Sequence, residues 1–192
     1  MPTAQPAQRP DTALAMAPAT GPATPVAKAL ETLARGVALV EAVHARPVSA
    51  EVAAARTGCR FYTRFLANTL REYDRFLSLI AEAVAAVEAP GHDARALARL
   101  RNTRLKLVRL AALRPQAAAL PDGDFALVGA CGRLIACLHH CGGRVHDAAL
   151  WDDLAIAGGR RGGAGGFLTI DPATLGSIGR AHLAIARRLA AG

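Results

Sequence analysis

Cys137, His140 and Cys141 are the side chains whose types and spacing come nearest to inorganic chemistry. At 100° per residue they fall within about a 100° arc of one helix, and His146 follows just past Gly142-Gly143. Thiolate and imidazole are zinc ligands, and His146 could swing back as a fourth donor. The spacing is neither Cys-x-x-Cys nor His-x3-His, and donors crowded on one helix seldom close a tetrahedron. These side chains are therefore expected to pack in an apolar core, with no metal or other cofactor assigned. The negative end of a helix also disfavours thiolate, which argues against a reactive Cys141. His44 and His182 each fall on an apolar seam, where two imidazoles facing one another would titrate as a pH-sensitive pair and a lone one is simply satisfied at a core edge.

Other familiar chemistries are poorly represented. Residues 158–166 contain six glycines and two arginines, but no Gly-Lys-Ser/Thr ending and no Gly-x-Gly-x-x-Gly between a strand and a helix, so a linker is expected rather than a phosphate loop. The 15 acidic residues are scattered, with Asp152-Asp153 as an adjacent pair. No His-Glu-x-x-His or Gly-x-Ser-x-Gly occurs. No catalytic residue is assigned, and the expectation is a protein that is not an enzyme.

Arginine carries the strongest signal. Arg60, Arg64, Arg71 and Arg75 fall within about a 60° arc of one helix, opposite its apolar stripe. Arg95, Arg99, Lys106 and Arg109 belong to a segment with no Asp or Glu between Ala94 and Pro121. Guanidinium groups pair bidentately with carboxylate or phosphate. The net charge is +8 and the sequence pI about 10.3, a balance that favours an acidic partner. The expected function is a non-catalytic interaction or regulatory protein that binds an acidic protein, or a helix of one, through a groove or these Arg-rich faces. The alternative is nucleic-acid binding by the helices at 60–88 and 93–114. Against it stand the scarcity of aromatic residues on those faces and the lack of a complete helix-turn-helix pattern.

The elements that must position these groups read as helices throughout. Residues 1–25 hold six of the 11 prolines and suggest a disordered Pro/Ala-rich tail, leaving 26–192 as the helical domain. A first helix over Val26 to Ala45 is capped by Thr24 and stopped by Pro47; a short one covers Ser49 to Arg56. A third, over Arg60 to Glu88, has Leu66, Leu70, Tyr73, Leu77, Ile80, Val84 and Val87 in steps of four and three, with Phe61 and Phe65 widening the stripe. The spacing predicts one further helix over Asp93 to Arg114, capped by Asp93, with Leu97, Leu100, Leu107, Val108 and Ala111 inward and Arg104 uncomfortably among them. Phe125 to Cys141 carries one fixed charge, Arg133, and is expected to be a buried central helix capped by Asp122 or Asp124. Its Gly129, Gly132 and Ala136 form a small-residue face for close helix packing. Asp147 opens a short helix through Leu154, Phe167 to Ile170 is extended, and Asp171-Pro172 starts the last helix. The fold class that follows is all-α: a bundle of five to seven helices around residues 125–141. Self-association through the leftover seams is a further possibility.

Gly132-Arg133-Leu134-Ile135-Ala136 resembles the first homology segment of Bcl-2-type proteins, where Gly-Arg precedes a short apolar run in a buried helix. The resemblance implies a helix-groove regulator in which Arg133 pairs with an acidic residue of an incoming amphipathic helix. It covers five residues, with Cys131 where that family has Trp and no Gly-Gly-Trp afterwards. Cys59, Cys131, Cys137 and Cys141 lack the spacing of a disulfide scaffold, and the N-terminus lacks a basic region followed by an apolar run. A reduced, cytoplasmic protein without a membrane span is expected, although the tail would also suit an exported effector.

Overall fold

A computed structural model describes residues 24–44, 49–56, 58–114, 120–161 and 164–191. The tail expected over 1–25 lies outside the described residues except for Thr24 and Pro25, and so does the helix stop at Pro47. Among the described residues every long element is helical, as expected: α1 Pro25–His44, α2 Ala50–Arg56, α3 Arg60–Glu88, α4 His92–Ala98, α5 Thr103–Leu113, α6 Asp122–His140, α7 Ala149–Ile156 and α8 Pro172–Ala191. No helix in them is long and apolar enough to cross a membrane.

α3 is shared by two three-helix groups. It packs with α1 and α8 on one side and with α5 and α6 on the other, while α7 rests on α6. The stripe read from the sequence explains this: Leu66, Leu70, Tyr73, Leu77, Ile80 and Val84 are all buried, and Ala67, Ala81 and Ala85 beside them let two further neighbours approach. The stripe ends sooner than expected, because Phe61 is 89% exposed and Val87 77%. α6 buries Val128, Cys131, Leu134 and Leu138 but is not enclosed on every side. Gly132, Arg133, Ala136 and His140 face solvent.

Short polar side chains fix several helix starts. The Thr24 hydroxyl accepts the Ala27 N–H at 3.2 Å, and the Asp171 carboxylate accepts both the N–H and the hydroxyl of Thr174, at 2.8 and 3.0 Å. Two expected caps are corrected. Asp93 and Asp122 lie in the first turns of their helices, behind Gly91 and Pro121, where a carboxylate still complements the helix dipole.

The expected helix over 93–114 is two helices. An unbroken one would have placed Arg104 in the buried seam. Instead α4 ends at Ala98 with Arg99 as its C-cap, and Asn102 caps a new helix by accepting the Leu105 N–H at 3.1 Å. The restart rotates the inward set to Thr103, Lys106, Leu107 and Leu110, which exposes Arg104 and Val108 and buries Lys106.

Residues 143–168 close on themselves at a narrow neck. The Leu168 N–H donates to the Gly143 carbonyl at 2.7 Å, and the Val145 N–H to that of Gly166 at 2.9 Å. The Arg144–Phe167 bridge is antiparallel; of the segment expected to be extended, Phe167 alone pairs in this way among the described residues, and Leu168 and Ile170 beyond it are buried. Gly143 and Gly166 adopt φ of +82° and +74°, a region that side-chain-bearing residues rarely enter.

Candidate functional site

The arginines of the expected basic faces sort into paired and unpaired groups. Arg75 pairs with Glu72 at 3.4 Å and Arg109 with Asp93 at 2.9 Å. Lys106 must be withdrawn from the binding face. It is 5% exposed, pairs with Glu82 and donates to the Ser78 hydroxyl at 2.8 Å, because the restart of α5 turns it inward. Arg60, Arg64, Arg71, Arg95 and Arg99 are exposed and make no ion pair among the described residues. Arg101 and Arg104 likewise have none.

Arg71, Arg101 and Arg104 line one cleft of about 450 Å³ between α3, the start of α5 and α6. Its floor on the α6 side is the small-residue face. No helix covers that face: a Cβ on Gly132 would meet nothing within 4 Å, whereas one on Gly129 would lie 2.9 Å from Arg104 Cδ. Gly129 therefore makes room for the Arg104 stem to cross α6. His139 and His140 close the far end. Burial lowers the pKa of His139, and the Arg71, Arg64 and His140 charges lower it further, a sign of positive potential there. His139 Nε2 is buried without a partner among the described residues.

Asp74, also in the lining, turns its carboxylate to the Thr103 hydroxyl, which donates at 2.7 Å. Burial raises its pKa despite that hydrogen bond and the nearby His182 and Lys106. The first turn of α5 opens on the same cleft. Asn102 Oδ1 takes the Leu105 N–H, and the N–H groups of Thr103 and Arg104 have no acceptor among the described residues, as is usual at a helix start. The chemistry on offer is the binding of negative charge.

The remaining candidates are dispersed. Arg133 donates to both carboxylate oxygens of Asp153 in α7, at 2.7 and 2.5 Å, so this chain supplies the carboxylate expected from an incoming helix. The Cys137 thiol is buried and donates to the Arg144 carbonyl at 3.5 Å, while His140, Cys141 and His146 are exposed. Among the described residues no three His, Cys, Asp or Glu side chains converge as metal ligands. His44 and His182 are not paired. His44 lies against Phe65, with ring centroids 5.8 Å apart. His182 is wholly buried beside Tyr73, its Nδ1 2.9 Å from the Ile178 carbonyl oxygen.

The sequence reading leaves Arg101, Arg104 and His139 outside the candidate set. A continuous helix over 93–114 turns Arg104 into the buried seam and hides the cleft. The available signal was Asn102, a strong N-cap residue, immediately before an arginine that an unbroken helix would bury. Comparison with known proteins adds no assignment: no family model, curated protein or solved structure matches the chain.

Proposed function

We propose that this is a non-catalytic interaction protein whose cleft between α3, α5 and α6 binds an acidic segment of a protein partner. The observation that carries the reading is the convergence of Arg71, Arg101 and Arg104, three guanidinium groups without an acidic partner among the described residues, on an uncovered floor of Gly132 and Ala136. Outside the cleft some arginines are supplied with carboxylates, as at Arg133, Arg114 and Arg188, while Arg60, Arg64, Arg95 and Arg99 are unpaired among the described residues but do not line it. Charges left unpaired side by side repel, and an incoming anionic segment relieves that repulsion.

A photo-crosslinking residue at Ala136 tests the proposal in the cell that makes the protein. The expected adduct is a peptide rich in Asp and Glu, lost when Arg71 and Arg104 are both replaced by Glu. An adduct that is nucleic acid, or one indifferent to that double substitution, would overturn the reading. Nucleic acid is the second reading, and Phe61 favours it. This ring, 89% exposed between the unpaired Arg60 and Arg64, would offer a stacking surface beside two cations. It requires sequence-independent DNA or RNA binding at physiological salt, weakening steeply as salt rises. The helix-groove alternative through Arg133 would first have to displace Asp153.

A further inference from the structure

We infer that the inner end of this cleft, formed by Arg71, Arg101, Arg104 and the start of α5, receives a phosphate monoester dianion carried by the partner segment. The inference rests on the acidic-segment reading and names its anchoring group. A carboxylate has one charge and two oxygens, and one guanidinium satisfies it bidentately. Three unpaired guanidiniums in one cleft of about 450 Å³ call for more charge and more acceptors than that. A phosphorylated side chain brings nearly two charges and three strong acceptor oxygens.

The backbone points the same way. α5 is 11 residues long, and the first-turn N–H groups of Thr103 and Arg104 are free among the described residues, while Asn102 caps Leu105. N–H donors without an acceptor at a positive dipole end suit a tetrahedral anion. Two features keep the arrangement from being a chance crowding of charge. Gly129 is needed where Arg104 crosses α6, since a Cβ would lie 2.9 Å from Arg104 Cδ. Asp74, the carboxylate in the lining, accepts from the Thr103 hydroxyl at 2.7 Å, so one of its oxygens is already engaged by α5.

The experiment uses the full chain and two kinds of probe. Inorganic phosphate, titrated against acetate at matched ionic strength, should move the amide resonances of Thr103 and Arg104, and acetate should not. Among acidic peptides that differ at one position, a phosphoserine form should bind about tenfold more tightly than its Glu form. R101Q and R104Q should each erase that preference without moving Tm. Equal binding of the two peptides would overturn the inference and leave the acidic-segment reading intact. If phosphate moves those amides but neither peptide binds, the acidic-segment reading falls and the dianion receptor stands, with free phosphate or a small phosphate ester as its ligand. Phosphate acting no more strongly than acetate would overturn the inference outright. So would displacement of phosphate by a short RNA without terminal phosphates.

Discussion

Tyr73 can lie on α8 because residue 179 has no side chain: a Cβ there would stand 3.0 Å from the Tyr73 ring. The ring is 3% exposed and has little room to retreat. Gly179→Val should destabilise the fold by about 1–3 kcal/mol, read as a lower urea midpoint. Gly129 poses the opposite case, since the atom its Cβ would strike belongs to a flexible arginine. Gly129→Ala should leave stability unchanged or raise it by up to about 1 kcal/mol, the helix preference for Ala over Gly. The same change should weaken anionic ligands by displacing Arg104. Comparing urea unfolding with ligand titration separates the two effects. At Arg133 the asymmetry lies in burial, since its side chain is 60% exposed and that of its partner Asp153 only 5%. Arg133→Ala strands the buried carboxylate, and the expected loss is about 1–2 kcal/mol, held down by the solvent around the guanidinium.

Among the helices, the junction of α4 and α5 decides the most. Asn102→Ala removes one capping bond and should cost about 1 kcal/mol. It should also loosen the start of α5, detectable as faster amide exchange at Leu105 and Lys106 than elsewhere in that helix. The expected boundaries over 60–88 agree with the structure because a long apolar stripe lies between Gly58 and Pro90-Gly91, and those of the last helix because a stripe coincides with the Asp171 cap. The misreading over 93–114 has a physical source. Leu97, Leu100, Leu107 and Val108 fit an unbroken 3.6-residue period nearly as well as a broken one, and only the cost of burying Arg104 decides between them. That cost depends on what α6 places opposite, namely Gly129 and Gly132, which no local pattern contains. So the fold class and the excess of surface arginine were legible in the chain, while the cleft was not. The cleft arises from three elements meeting across a break that one residue, Asn102, establishes.

At the scale of the whole molecule, imidazoles drawn wholly or partly out of water set the response to acid. Burial lowers the pKa of His182, His44 and His139 below the ordinary 6.5. Below pH 6.5 the unfolded chain therefore takes up protons that the native state refuses, and stability falls as pH drops, by about 1.4 kcal/mol per pH unit for each histidine fully excluded from protonation. Asp74 acts in the other direction. Its raised pKa favours the native state below its ordinary 3.8, and that contribution disappears as pH rises through the folded value. The net expectation is a Tm that is flat above pH 7 and declines from pH 6.5 to 5. His182→Leu should flatten the decline, and a variant as acid-sensitive as the parent would show that His182 is not responsible. The neck between Gly143 and Leu168 has a more practical side. Because the chain enters and leaves through two adjacent hydrogen bonds, whatever length lies between Arg160 and Ala164 need not be felt beyond them, as added residues increase closure entropy only slowly. A fluorescent reporter or affinity handle spliced in there should leave the rest of the protein undisturbed, which makes this the natural place from which to watch the cleft at work in living cells.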